Sequence, residues 1–295
     1  MTEVSAPQRA PRSGVPSRLT RRPVRKVGTA LIWGWVGFNI FLILWILNAS
    51  LKPSREIFSR DRALSLPSEV RWENYVSAWN ASQFDLATFN TVTVVLSAAA
   101  VVVALAAPAA YVLSRSIARS AGSMTTFFAI GMGIPLQAVL VPLFLMTNWL
   151  GLADSLVGLG IVYVAISLPF TVFLLTGFFR TLPAELEEAA ALDGASGVRT
   201  FVGVMLPLAQ PGIVTAFTLN VVLLWNETLL VLVLITDNSQ YTLPRALLGL
   251  YGTMQYTGNW GGLFAGSIIV ATPVLLIFAL LSRRIIEGMT LGASK

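Results

Sequence analysis

Residues 185–211 read ELEEAAALDGASGVRTFVGVMLPLAQP. The segment is polar and acid-rich, and it lies between apolar runs at 155–179 and 212–236. Thr181 is placed to cap a helix, with Pro183 in its first turn and Glu185, Glu187 and Glu188 at its positive end. Ala189, Ala190, Ala191 and Leu192 continue that helix, and Asp193-Gly194 ends it, because glycine readily takes the left-handed conformation of a helix end. Ser196 can cap a second short helix running through Arg199 and Phe201. Leu206-Pro207 and Pro211 then mark a return to apolar surroundings. The expectation is a protruding helix–turn–helix, with small residues on one side over which a partner's groove can close.

Working outward, the 295 residues are 55% hydrophobic and only 12% charged, with a mean hydropathy of +0.74. Soluble domains carry about 25% charged residues. The chain therefore reads as an all-α integral membrane protein. Its net charge of +6 could point to nucleic acid. However, Arg9, Arg12, Arg18, Arg21, Arg22, Arg25 and Lys26 crowd the tail just before an apolar run. A basic block in that position sets membrane topology, so no nucleic-acid partner is expected.

Residues 1–26 are rich in Pro, Arg and Ser and read as a basic, disordered tail. Residues 27–295 read as one transmembrane domain. Its six transmembrane helices are placed near 28–50, 86–112, 125–147, 156–179, 212–236 and 262–282, with the 181–211 loop between the fourth and fifth. The run at 27–51 has no charge and is long enough for a hydrocarbon core of about 30 Å, so it reads as an uncleaved anchor. The run from 246 to 282 is long enough for a span plus an interfacial segment. With both termini cytoplasmic, fourteen Lys/Arg lie inside and six outside. Pro108, Pro135, Pro142, Pro169 and Pro273 fall inside spans, either as tolerated kinks or as pore-lining bends. Small residues at Ser97-Ala98-Ala99-Ala100 and Gly131-Met132-Gly133 permit close helix contact.

Much chemistry is excluded. There is no cysteine and no histidine, which removes thiolate catalysis and the commonest metal ligand and proton shuttle. None of the three lysines, Lys26, Lys52 and Lys295, follows a glycine, so a phosphate-binding Gly-Lys-Ser/Thr loop is absent. Gly194-Ala195-Ser196-Gly197 resembles a serine-protease context only superficially, since no histidine base exists. No catalytic, cofactor-binding or metal residue is assigned. A membrane enzyme is disfavoured on these grounds, while a self-sufficient carrier would want several intramembrane carboxylates or histidines.

Glu188-Ala189-Ala190, Asp193-Gly194-Ala195 and Leu206-Pro207 at this spacing resemble the EAA loop of ABC-transporter permeases. The resemblance extends over most of the chain and narrows to the maltose-type, carbohydrate-uptake importers that depend on a binding protein. Ser50-Leu51-Lys52-Pro53, Asn90-Thr91, Ala109-Ala110-Tyr111, Ser114-Arg115, Trp225-Asn226-Glu227 and Thr242-Leu243-Pro244 all fit it. The resemblance implies a multi-pass subunit of a bacterial inner membrane. Its implied partners are a second homologous permease, two ATPase subunits, an extracytoplasmic sugar-binding protein and membrane lipid. ATP and Mg would be held by the partner chains. Glu185, Glu188, Ala189, Ala190, Asp193, Gly194 and Ala195 become the expected ATPase-coupling residues, on a coupling helix near 183–192.

For the solute path, Glu227 is expected well inside the fifth span, beside Trp225 and Asn226, with Gln137 and Asn220 as weaker candidates. A carboxylate at a bilayer centre costs about 2.5–3.5 kcal/mol on insertion scales, so Glu227 must face protein or water. It reads either as a hydrogen-bonding group for sugar or as a polar tie between helices. The outer loops at 52–85 and 237–261 read either as the seat of the binding protein or as interfacial anchors through Trp72, Trp79 and Trp260. Within transport, the alternative cargo is a polyol or glycerol phosphate.

Overall fold

The computed structural model describes residues 21–116 and 119–293, without side-chain detail at 21–25, 119–121, 255 and 281–293. Among the described residues the regular structure is helical throughout. The order is α1 (Arg21–Ser50), α2 (Ser54–Ile57), α3 (Glu73–Ala81), α4 (Phe84–Arg115), α5 (Arg119–Met132), α6 (Leu136–Trp149) and α7 (Leu156–Thr181). Then come α8 (Glu185–Leu192), α9 (Gly197–Thr200), a π-helical turn (Phe201–Met205), α10 (Leu206–Leu208), α11 (Gln210–Trp225), α12 (Leu229–Leu234), α13 (Leu243–Thr257) and α14 (Trp260–Ala293).

The chain divides into two compact units, Met1–Leu47 and Asn48–Lys295. In the first, the described residues are helical from Arg21 onward, so Arg21–Lys26 is helical rather than part of a disordered tail. The rest of the expected tail lies outside the described residues.

The second unit is organised by α4 and α7, which pack side by side along their length. They run parallel: Val94 of α4 meets Gly160 of α7, and Tyr111 of α4 meets Phe179 of α7. The buried stripe of α4 is Ala87, Thr91, Val94, Val95, Ala98, Ala99, Val102, Ala106 and Ala110, a helical period of mostly small side chains. In lipid, close van der Waals packing of such stripes holds helices together, since burial from water supplies no drive there. The antiparallel α11 lies against α4 and α14. α11 also packs on α7, and Gly212 makes that approach possible: a Cβ there would sit 2.5 Å from the Phe178 ring.

Among the described residues, four helices are long and apolar enough to cross a membrane, and the number reaches six only when two bent pairs each count as one span. The third expected span, 125–147, is not one helix. Gly122–Met132 and Leu136–Trp149 meet at 96°, because Gly133 has no side chain to order it and Pro135 starts α6 from an extended conformation. The fifth, 212–236, is also divided. α11 ends at Trp225 and α12 restarts at Leu229, while upstream Gly197–Leu208 meets Gln210–Trp225 at 73°. Pro108, Pro142, Pro169 and Pro273 sit inside continuous helices. The segment before the last expected span folds as a separate helix, α13.

The stretch between α1 and α4 is folded rather than a plain polar loop. Lys52, counted from sequence as an outside charge, is fully buried and donates to the carbonyls of Arg62 (2.7 Å) and Ala63 (3.2 Å). Glu56 pairs with Arg62 at 3.3 Å and also accepts from the Ser68 hydroxyl. Trp72 stays exposed, and Trp260 stacks edge-on against Phe58 at 5.0 Å.

Candidate functional site

At the C-terminal end of α4, Tyr111, Phe179 and Phe201 form an aromatic cluster, with centroids 5.1 Å (Tyr111–Phe201) and 5.7 Å (Tyr111–Phe179) apart. Above it lies α8, none of whose residues is buried. Leu192 is 89% exposed and Val198, just beyond it, 76%. Such solvent-facing apolar side chains on a short polar helix suit a partner surface.

The local chemistry of this loop follows its residues closely. The α8 C-terminus closes as a paired turn: the Ala195 N–H donates to the Ala190 carbonyl (3.0 Å) and the Gly194 N–H to the Ala191 carbonyl (3.0 Å). Gly194 has φ +76°, which costs a side-chain-bearing residue but not glycine. Ser196 caps α9 by accepting from the Arg199 N–H. Thr181 does not cap α8. It is the last residue of α7, and its hydroxyl donates to the Phe178 carbonyl at 2.7 Å. Pro183 holds Leu182 extended, so the helix restarts only after Ala184, and three glutamates complement its positive end instead of a cap.

Of the expected coupling residues, Glu185, Glu188, Ala189, Asp193 and Gly194 are exposed, while Ala190 and Ala195 are half-buried. The residue that anchors the helix is one that sequence reading did not select. Glu187 accepts from Arg115 Nε at 2.6 Å and from the Tyr111 hydroxyl at 3.2 Å. Arg115 Nη2 also donates to the Leu182 carbonyl at 2.9 Å. Arg115 and Glu187 are each 21% exposed, so the pair is only partly screened by solvent. One charged clasp thus fixes α8 to the end of α4. The i, i+4 spacing of Tyr111 and Arg115 was the one sequence signal that both point the same way.

The expected path residues are not gathered into one site. Asn220 is buried on α11 and donates to Thr171 Oγ1 (2.9 Å) on α7 and to its own helix at Ala216 (2.8 Å). Trp225 is buried, with its indole N–H on the Val270 carbonyl of α14 at 3.2 Å. Asn226 and Gln137 are exposed. Glu227 is not inside a span helix but in the break after α11. It accepts from the Leu230 N–H (2.8 Å) and the Val231 N–H (3.4 Å), and from the Tyr163 hydroxyl (3.2 Å). The carboxylate satisfies free donors at the start of α12 and links them to α7.

At the other end of α4, polar side chains hold the loops. Asn90 donates to the carbonyls of Ser239 (2.8 Å) and Tyr241 (3.0 Å), and Thr91 Oγ1 accepts from the Leu243 N–H at 2.8 Å. Asp154 accepts from the N–H groups of Thr236 (2.8 Å) and Asp237 (3.0 Å) and from the Thr236 hydroxyl (2.7 Å). The Asp237 and Thr236 donors hold its carboxyl below the ordinary carboxylate range.

The family model for the binding-protein-dependent transport system inner membrane component matches residues 100–287. This chain belongs to that family. The permease is 36% identical over 266 residues to a diacetylchitobiose uptake system permease protein of Streptomyces coelicolor, covering 90% of this chain and 87% of the relative. It is 34% identical to a trehalose transport system permease protein of Mycobacterium tuberculosis, covering 88% and 94%. Its fold matches a chain in the crystal structure of a bacterial ABC transporter involved in import of the acidic polysaccharide alginate. That match has a TM-score of 0.76 and 21% identity, and covers 92% of this chain and 99% of the other. The resemblance read from the 185–211 loop therefore leads to the correct family.

Proposed function

We propose that this permease forms one transmembrane half of an ATP-driven sugar importer, and that α8 receives the motion of an ATPase partner. The sugar assignment rests on the two relatives named for diacetylchitobiose and trehalose uptake. The observation that carries the coupling role is the geometry of α8: wholly unburied, terminated by an αL glycine, presenting Leu192, and clasped to α4 at one point. A chain without a phosphate-loop lysine draws its energy from elsewhere, which agrees with hydrolysis in two partner ATPases. A second, related permease completes the path and a binding protein delivers the solute. Both termini and α8 face the cytoplasm, in accord with the excess of basic residues assigned to that side.

The test uses the assembled importer in proteoliposomes, with ATP hydrolysis and labelled disaccharide uptake measured together. Gly194→Leu forces a branched side chain into a positive-φ position, at a cost of about 1–2 kcal/mol, and reshapes the proposed docking turn. Uptake should fall to background while hydrolysis continues. Normal uptake by a fully assembled variant would refute the coupling role. Uptake of a polyol or glycerol phosphate in place of disaccharide would redirect the cargo assignment.

A further inference from the structure

At the end of α4 remote from α8 lies a pocket of about 290 Å³. Gln83 and Asn238 contribute to its wall, as do Tyr241 and, on one face of α13, Arg245, Gly249 and Thr253. The guanidinium of Arg245 rests on the Tyr241 ring, with Cζ 4.1 Å from the centroid, and its Nη2 donates to the Tyr241 hydroxyl at 2.9 Å. A guanidinium has five N–H donors. Here only that one bond is made, and Nε is buried with no partner. A Cβ at Gly249 would come no nearer than 4.0 Å to Nη1.

No carboxylate answers this cation among the described residues. The ion pairs are Arg62–Glu56, Arg71–Glu69 and Arg115–Glu187. The acids of the neighbouring loops are already engaged: Asp154 by Thr236 and Asp237, and Asp237 by the N–H and hydroxyl of Ser239. The result is a cation oriented in advance, stacked on a ring and unpaired with any carboxylate among the described residues. A preset planar fork favours a carboxylate, and little ordering cost remains to be met on binding.

We propose that this pocket receives an acidic side chain of the solute-binding protein. The proposal rests on the reading that α8 faces the ATPases. The 32 residues of α4 separate the two ends by nearly 50 Å at about 1.5 Å per residue, so the pocket faces the side where a binding protein arrives. Dependence on such a protein is part of the family's description.

The experiment titrates the cognate binding protein against the assembled importer in liposomes and reads stimulated ATP hydrolysis. Arg245→Ala should raise the half-maximal concentration of binding protein about tenfold, and Arg245→Glu further. Arg245→Lys should recover part of the loss, keeping the charge without the fork. The dependence of that concentration on salt should flatten in the alanine variant. Where Arg245→Ala does not assemble, Arg245→Met keeps a stem over Tyr241 and should show the same shift. An unchanged half-maximal concentration and salt dependence in these variants overturns the proposal. So does a shift confined to the solute concentration for uptake, which would make the solute the anion. An effect that disappears in vesicles of neutral lipid also overturns it, in favour of a lipid headgroup. An unsubstituted importer that ignores its binding protein would instead overturn the parent reading, and this seat with it.

Discussion

The two ends of the parallel α4–α7 pair are held in opposite ways. At the start of α4, Asn90, Thr91, Asp154 and Gln240 join the 234–243 segment to both helices through many bonds, among them Gln240 Oε1 accepting from the Leu156 N–H at 2.8 Å and Gln240 Nε2 donating to the Asp154 carbonyl at 2.9 Å. At the end of α4, an unburied helix is attached through one carboxylate, Glu187, gripped by Arg115 and Tyr111. Each ordinary hydrogen bond contributes only about 0.5–1.5 kcal/mol, so the first end survives the loss of any single one. The second end has one charge-assisted clasp, Glu187 with Arg115, beside the packing of α8 on α9 and the π-helical turn. A bundle built this way resists deformation at one end and takes up displacement through a single charged clasp at the other. This arrangement suits the proposed input of force through α8.

Breaking the clasp should have the largest effect. Arg115→Ala removes a charge-assisted bond of about 1.5–3 kcal/mol. Sugar transported per ATP should drop about tenfold, and the swap Arg115→Glu with Glu187→Arg should recover part of it. Equal ratios in all three proteins would remove the clasp from the coupling route.

Asp154→Asn probes the other end and should leave that ratio intact while lowering the melting temperature. Its pH dependence has a definite sign. The folded carboxyl titrates below its unfolded value of about 3.9, so its contribution is present above that pH and disappears as pH falls through the folded value. The gap in melting temperature between the unsubstituted protein and the Asp154→Asn variant should therefore be steady near neutrality and shrink below about pH 4. A gap that widens on acidification would contradict the bonding described. Tyr111→Phe should have the smallest effect, about 0.5–1.5 kcal/mol from one hydroxyl, because the ring keeps its contacts with Phe179 and Phe201. A loss as severe as that of Arg115→Ala would move the weight of the clasp to the tyrosine.

What could be read from sequence was local. Gly194 and Ser196 act within a few residues of themselves, and both were placed correctly as a helix stop and a cap. Uncharged runs marked α4, α7 and α14 as long membrane-crossing helices. The breaks in the third and fifth spans were hidden because apolar composition continues through them. Gly133-Ile134-Pro135 carried the one clear signal, and Pro108 and Pro169, in continuous helices, show why a proline alone is no guide. Glu227 looked like a charge within a span because the start of α12, whose donors it satisfies, is not visible in the pattern. Glu187 could not be matched to Arg115 by spacing, since 72 residues separate them. Arg115 was legible as a positive charge near a helix end and as part of the family resemblance, but not as the partner of Glu187.

The most direct test exploits the absence of native cysteine: Leu192→Cys is the only thiol in the chain, on the tip of α8. Labelling with a membrane-impermeant maleimide is measured in intact cells, in opened membranes, and in the assembled complex with its ATPases. The thiol should react only after the membrane is opened, and the bound ATPase should protect it. Labelling in intact cells, or equal labelling with and without the ATPases in a complex that transports normally, would contradict α8 as the site where force enters.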